Sequence, residues 1–211
     1  MNEVQRLKEE QPRRKPGRPK RSETIQPNQL ILRTAAMLFM EHGFEKVSLE
    51  GVAKACRITK ASVYYYFDNK AKLFTECLLF VLKIAYDQTA LIMRGPGTLK
   101  ERLLIVAERH MNNAHVEFET MMREAAAGLS EEQIMQIRDG EAQLHILLSE
   151  IFAQAMEEGV ITKSDPLLLS HTFTAMMTVR NHKQLLNDQK SVKQASAEIV
   201  QLLWDGLQPR S

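Results

Sequence analysis

Apolar residues along this chain recur at the three- and four-residue spacing that is typical of amphipathic helices. In the first such segment Ile31, Ala35 and Leu38 repeat at this spacing, and Gly43 suits a C-terminal cap. β-Branched residues never alternate strictly with polar ones, and long stretches such as residues 48–93 contain almost no Gly or Pro. The pattern therefore predicts an all-α protein.

Capping residues divide the chain into about nine predicted helices. Ser48, with Glu50 close behind it, and Thr59 are N-cap candidates for two short helices that are separated by one tight turn. Asn69 is a cap candidate for a longer helix that runs to about Met93. Two short helices joined in this way predict a helix-turn-helix. Further helices are predicted over residues 98–113, 115–129, 130–159, 166–189 and 192–207.

These elements predict three regions. Residues 1–27 lack a hydrophobic period and contain a basic run with three prolines, so we expect a flexible basic arm. Residues 28–74 are predicted to form a three-helix domain that contains the helix-turn-helix. Residues 75–211 are predicted to form a separate helical body.

The charge distribution changes this picture, although the net charge is only +2. Residues 1–27 carry 8 Lys/Arg against 4 Asp/Glu, residues 28–74 carry 7 against 4, and residues 75–211 carry 13 against 18. A basic front end on an acidic body is typical of a module that neutralises phosphates. The alternative is chance clustering in a basic tail.

The second short helix has the properties of a helix that enters the major groove. Its first residues, Lys60, Ala61 and Ser62, are small or polar, whereas Val63 and Phe67 are four apart and are expected in the core. Tyr64, Tyr65 and Tyr66 follow each other, and consecutive helical residues point about 100° apart, so they cannot all be buried. At least one tyrosine is therefore expected to meet DNA. The alternative is an aromatic-rich core helix.

Several short motifs in this region coincide with those of a known family. The N-terminal domain resembles that of tetracycline-repressor (TetR) family regulators over about 45 residues, and Gly206-Leu207 is similar to that family's usual ending. The motifs are Ile31-Leu32, Ala35-Ala36, Leu38-Phe39, Gly43-Phe44, Val52-Ala53, the run from Ile58 to Phe67, Lys70 and Leu73.

The resemblance implies specific DNA contacts. It implies that Lys60, Ser62, Tyr64, Tyr65 and Tyr66 lie at DNA, and that Ser48, Thr59 and Lys70 support phosphate contacts.

Three residues depart from the family pattern: Cys56 stands for the usual Ala, Arg57 for the usual Gly of the turn, and Ala61 for a frequent Gly. A positive φ at Arg57 would cost about 1 kcal/mol relative to Gly, and a phosphate contact by its guanidinium would offset that cost. Strain and contact are both open. Arg57 and Ala61 are counted among the DNA-binding candidates.

The basic arm contains a second candidate contact. Residues 15–20 resemble the Gly-Arg-Pro core of an AT-hook, in which Arg18 would enter a narrow A·T minor groove. A solvated basic tail that gives only salt-dependent attraction is the alternative.

The resemblance implies that the body binds a ligand and forms a homodimer through its last two helices. Apolar stripes on those helices suit a dimer interface, and the methionine-rich body suits an adaptable apolar cavity. Dimer-interface candidates are Phe173, Met176, Ile199, Leu202 and Leu203. Ligand-binding candidates are Met111, Phe118, Met122, Arg123, His145, His171, Thr174, Met177 and Asn181.

Other kinds of function find little support in the sequence. No nucleophile with a base, phosphate-cradling Gly-rich loop or metal-ligand spacing is found, so we expect no enzyme activity, no cofactor and no metal. Cys56 and Cys77 are expected to be reduced, and no apolar run reaches membrane-spanning length, so we expect a cytoplasmic protein without a membrane partner.

The sequence thus predicts a ligand-responsive regulator, a homodimeric repressor that a small apolar effector releases from a palindromic double-stranded operator. The alternative is an architectural DNA-binding protein that needs no effector.

Overall fold

Nine α-helices and no strand are found in the part of the chain that a computed structural model describes, which is residues 26–112, 118–181 and 191–208, without the side chains of residues 180 and 181. The all-α prediction is confirmed. The helices are α1 (Pro27–Lys46), α2 (Leu49–Cys56), α3 (Lys60–Tyr66), α4 (Lys70–Met93), α5 (Leu99–Asn112), α6 (Phe118–Ala125), α7 (Glu131–Glu157), α8 (Pro166–Met177) and α9 (Val192–Leu207), with 3-10 turns at Ala126–Gly128 and Thr178–Asn181.

The predicted N-caps are confirmed because each side-chain oxygen accepts a backbone N–H of the first turn. Ser48 Oγ accepts from Gly51 N at 3.1 Å, and Asn69 Oδ1 accepts from Lys72 N at 2.8 Å. A further N-cap is Asp165, whose Oδ1 accepts from two N–H groups at the start of α8, where Pro166 occupies the first helical position. These caps satisfy N–H groups that have no partner within the helix.

Three predicted helix ends differ from the structure. Gly43 bends α1 instead of ending it: its backbone leaves the helical region at φ 78° and ψ 169°, and Phe44 then turns into the core. The helix predicted over residues 115–129 is α6 followed by a 3-10 turn, and residues 113–117 lie outside the described part. The helix predicted to reach Gln189 ends as an α-helix at Met177, where the Thr178 hydroxyl donates to the Ala175 carbonyl at 2.7 Å.

The N-terminal core is built around three phenylalanines. Phe39 and Phe44 of α1 each meet Phe74 of α4 edge to face, with ring centroids 5.0 Å apart. Val63 and Phe67 are fully buried against this cluster. The phenylalanine contacts fix α1 on α4, since aromatic pairs add directional contacts to the apolar area they bury.

This core extends beyond the first three helices. Cys77 and Leu78 of α4 belong to it, and so do three residues of α6 and one of α7: Met121, Met122, Ala125 and Ile137. These contacts cross the predicted domain boundary between residues 74 and 75. The boundary itself stays a prediction.

A second core lies between α5, α7, α8 and α9. Leu103, Met111 and Leu148 are fully buried there, and the centroids of the Phe152 and Phe173 rings are 6.4 Å apart.

In none of the described helices is there an apolar stretch long enough to cross a membrane.

An ion-pair network joins α6 to α7 on the surface. Both terminal nitrogens of Arg138 donate to the Glu119 carboxylate, at 2.5 and 2.8 Å, and one of them also contacts Glu141 at 3.0 Å. The Arg138 guanidinium holds the pKa of Glu119 below its ordinary value.

Candidate DNA-binding surface

The turn between α2 and α3 is closed by two backbone hydrogen bonds that end α2. Arg57 N donates to Lys54 O at 3.1 Å, and Ile58 N donates to Ala53 O at 3.0 Å. This pair of bonds is a Schellman motif, which needs a left-handed residue after the helix. That residue is Arg57, with φ 55° and ψ 40°, and no other non-glycine residue in the described ranges has a positive φ. The turn therefore has the strained geometry that the sequence left open.

Helix α3 begins with a second cap. Thr59 Oγ1 accepts from Ser62 N at 3.1 Å, and the two hydroxyl oxygens lie 2.8 Å apart. Thr59 is exposed and Ser62 is half-buried. The contact between their hydroxyls holds both side chains at the start of the helix. Lys60 and Ala61 between them are exposed.

The two sides of α3 differ as the spacing predicted. Val63 and Phe67 are 0% and 1% exposed, whereas Tyr65 is 81% exposed. Tyr66 is half-buried against the N-terminal core, and its ring meets the Tyr65 ring edge to face at 5.0 Å. Tyr65 is thus presented to solvent on a helix whose opposite side is locked into the core.

Glu50 forms an ion pair across the turn that sequence reasoning missed. Its carboxylate contacts Lys60 Nζ, and the Tyr64 hydroxyl donates to the same carboxylate at 3.4 Å. Lys60 Nζ also lies 5.2 Å from the centre of the Tyr64 ring. The hydrogen bond and the opposite charge lower the pKa of Glu50 and raise that of Lys60. The sequence offered no direct signal, because only the turn brings these helix starts together.

Lys70 ties the start of α4 to the end of α1. Its Nζ donates to the Glu45 carbonyl at 3.0 Å and lies 4.4 Å from the centre of the Phe44 ring. Ser48, Glu50, Tyr64 and Lys70 line one open groove of about 410 Å³. The structure thus brings the predicted residues Ser48, Tyr64 and Lys70 together around Glu50, whereas Arg18 lies outside the described residues.

Comparison with known proteins agrees with this geometry. Residues 31–77 match the model of the family of bacterial regulatory proteins called tetR, a span that begins in α1 and ends in α4. The N-terminal domain of this chain, residues 31–77, is a TetR-family domain. The matching family model describes bacterial regulatory proteins.

Curated proteins match a short stretch of this chain. The chain is 34% identical over 59 residues to the "Probable acrEF/envCD operon repressor" of Escherichia coli K12, which covers 28% of this chain and 27% of the relative. It is 39% identical over 46 residues to IcaR, the negative transcriptional regulator of the biofilm operon icaADBC in Staphylococcus aureus, covering 22% and 25%. The match spans about a quarter of the length of these two relatives.

Solved structures share the fold over most of the chain. The reduced form of NemR from Escherichia coli superposes with a TM-score of 0.68 at 17% identity, over 85% of this chain and 96% of that one. FadR from Bacillus subtilis, in complex with stearoyl-CoA, superposes with a TM-score of 0.67 at 19% identity, over 84% and 97%. The shared fold thus includes the body.

The ligand-binding candidates of the body fall into two separate groups. Met111 and Met177 are buried in the second core, whereas Phe118 and Met122 pack with the N-terminal core. Arg123 is exposed and donates to the Thr120 hydroxyl at 3.2 Å. The structure does not gather these side chains around one space, and their role stays a prediction.

The remaining polar candidates lie on α7, α8 and the turn after α8. The rings of His145 and His171 stack with centroids 3.7 Å apart, and His145 Nδ1 lies 3.1 Å from Ser170 Oγ. Burial, with a smaller effect of His171, lowers the pKa of His145. The Thr174 hydroxyl donates to backbone carbonyls of its own helix. The side chain of Asn181 lies outside the described part, in which no cluster of three metal-ligating side chains occurs.

The dimer-interface candidates differ in their exposure. Leu202 of α9 is 70% exposed, and Met176, Ile199 and Leu203 are half-buried. Phe173 is 1% exposed, because its ring faces Phe152 inside the second core. Phe173 therefore anchors α8 in the second core and is not exposed on the surface of this protomer where a partner could contact it.

Proposed function

We propose that this chain is a homodimeric TetR-family repressor that acts in the cytoplasm, binds a palindromic operator through α3 and is released by a small, largely apolar effector. One observation carries the DNA-binding part: α3 exposes Lys60, Ala61 and Tyr65 while Val63 and Phe67 fix its other side in the core. A short helix held in this way is what insertion into a major groove requires. Repression is supported by the names of the two curated relatives.

Exposed apolar residues on the last two helices support the homodimer. The twelve residues of α8 include no Lys, Arg, Asp or Glu, and Leu167 and Leu168 are 49% and 62% exposed. Leu202 adds a further exposed leucine on α9. A two-fold axis beside such a surface would bury it against its own copy and would present two α3 helices to two half-sites.

The apolar character of the body supports an apolar effector. Methionine and phenylalanine side chains fill the second core, and methionine repacks easily around a ligand. The fold neighbour FadR is known in complex with stearoyl-CoA, a ligand whose acyl chain is apolar. An effector that binds one arrangement of the body more tightly would change the spacing of the two α3 helices.

Selection of duplexes from a random pool, followed by footprinting, tests the proposal. We expect one palindromic sequence with half-sites about 10 base pairs apart or a multiple of that. Tyr65→Ala should weaken binding to the selected duplex roughly tenfold or more, since a lost base or phosphate contact costs about 1–3 kcal/mol. Leu91→Ala, which truncates a 75% exposed side chain near the far end of α4, is the matched control and should leave binding unchanged.

Two results would overturn parts of this proposal. Broad protection of A·T-rich DNA without a palindrome would favour the architectural protein. For the effector, a mobility-shift titration should use stearoyl-CoA, coenzyme A without the acyl chain, and a panel of apolar compounds. Failure of every compound to release the selected duplex would count against an apolar effector while leaving DNA binding intact.

A further inference from the structure

The contact between Glu50 and Lys60 places a carboxylate on the surface that the proposed function assigns to DNA. Glu50 lies in the first turn of α2, and Lys60 is the first residue of α3. Their side chains are 50% and 60% exposed, so the pair is open to solvent and to a competing anion. Tyr64, from the same side of α3, contacts the same carboxylate.

A carboxylate in this place opposes phosphate binding in two ways. Its charge repels phosphates, and it already occupies the ammonium group that would neutralise one of them. An exposed ion pair of this kind is weak and exchanges easily, so a phosphate can replace the carboxylate. The opposite pKa shifts of Glu50 and Lys60 are consistent with a pair that forms in the free protein.

We propose that Glu50 is an internal substitute for a DNA phosphate, which pairs with Lys60 and Tyr64 in the free protein and must be displaced before these side chains bind DNA. The inference rests on the proposed DNA-binding function and adds a residue that limits its strength. Each protomer then brings one fewer effective positive charge to DNA than its lysines and arginines suggest.

The substitution Glu50→Gln tests this role with a definite expected size. In the wild type the displaced Glu50 carboxylate takes up a cation when Lys60 binds a phosphate, whereas the neutral side chain in Glu50→Gln takes up none. The net release of about one more cation per protomer should steepen the plot of log affinity against log salt concentration by about 0.9. The probe is a 30-base-pair duplex of random sequence. If both proteins bind it equally at 1 M salt, a slope difference of about 0.9 over the tenfold lower salt makes Glu50→Gln bind about eightfold tighter per protomer at 0.1 M. Glu41→Gln removes the same charge from an exposed site on α1 and should change the slope much less.

A double-substitution cycle separates pairing from general repulsion. In a Lys60→Met background, Glu50→Gln should lose most of its effect on affinity and slope, because no ammonium remains to be released. An equal effect in both backgrounds would overturn the proposed pairing. In the free protein, Lys60→Met should return the carboxyl pKa of Glu50 towards its ordinary value, which a carbon-13 titration measures without DNA.

The possible failures are distinguishable. If the wild-type chain binds no duplex, either random or selected, the proposed function is wrong and this inference falls with it. If the wild type binds but Glu50→Gln leaves affinity and slope unchanged, only the role of Glu50 is wrong. If Glu50→Gln weakens binding, Glu50 positions Lys60 and Tyr64 for DNA instead of competing with it, and the proposal is overturned.

Discussion

Replacing Arg57 by glycine should stabilise the protein, because the turn holds this residue in the left-handed region. A side chain with a Cβ costs about 1–2 kcal/mol in that conformation. Glycine removes this cost but makes the unfolded chain more flexible, which takes back about 0.4–1 kcal/mol. The expected net gain is roughly 0.5–1 kcal/mol, or about 1–4 °C in Tm for a chain of this size.

The comparison should be made between Arg57→Gly and Arg57→Ala. Both variants lose the guanidinium, so only the Cβ distinguishes them. Chemical denaturation followed by circular dichroism measures the difference, and Arg57→Gly should be the more stable variant. Equal stability, or a more stable alanine variant, would refute the argument that the turn is strained.

The same two variants decide whether Arg57 also contacts DNA. Loss of a phosphate contact by its guanidinium would make the salt slope of binding shallower by about 0.9 per protomer in both variants. An unchanged slope would leave Arg57 as a strained residue without a compensating contact.

Three further predictions concern other parts of the molecule. Gly43→Ala should lower the free energy of unfolding by roughly 1–3 kcal/mol, because that backbone region is almost confined to glycine and a Cβ would lie 2.7 Å from Glu124 Oε2. Arg138 lowers the pKa of Glu119, so their ion pair stabilises the fold fully above the ordinary carboxyl pKa of 4.5. This stabilisation is lost as the pH falls through the lowered pKa, and the Tm falls with it. Glu119→Gln should therefore show a smaller fall of Tm in acid melts. Leu202→Glu should weaken a homodimer at least about tenfold in sedimentation experiments, and unchanged association would contradict an interface at this residue.

Features that depend on neighbouring residues were predicted well from the sequence. The caps at Ser48, Thr59 and Asn69 act within one helical turn, and Val63 and Phe67 share a face because they are four residues apart. Such relations need no knowledge of how distant helices pack. The helices and the inner side of α3 could therefore be derived before the structure.

Features that join distant segments could not be predicted in this way. The pair of Glu50 and Lys60 depends on the direction in which the Arg57 turn sends the chain, and the turn geometry had two open interpretations. The stacking of His145 on His171 depends on how α7 lies against α8. Residue type alone had placed Met111 and Met122 in one proposed cavity, although they belong to different cores.

The shared N-terminal core limits how freely the DNA-binding domain can be exchanged between relatives. Met121, Met122, Ala125 and Ile137 complete the hydrophobic interior around Phe39 and Phe74, yet they lie far along the chain in the body. A chimaera that joins these α1 to α3 helices to another relative's body would meet foreign side chains at those four places. Such a hybrid should fold cooperatively when these four residues are transferred together with the helices. The part that must be exchanged is therefore the N-terminal helices plus the four body residues that pack on them, and not one continuous segment.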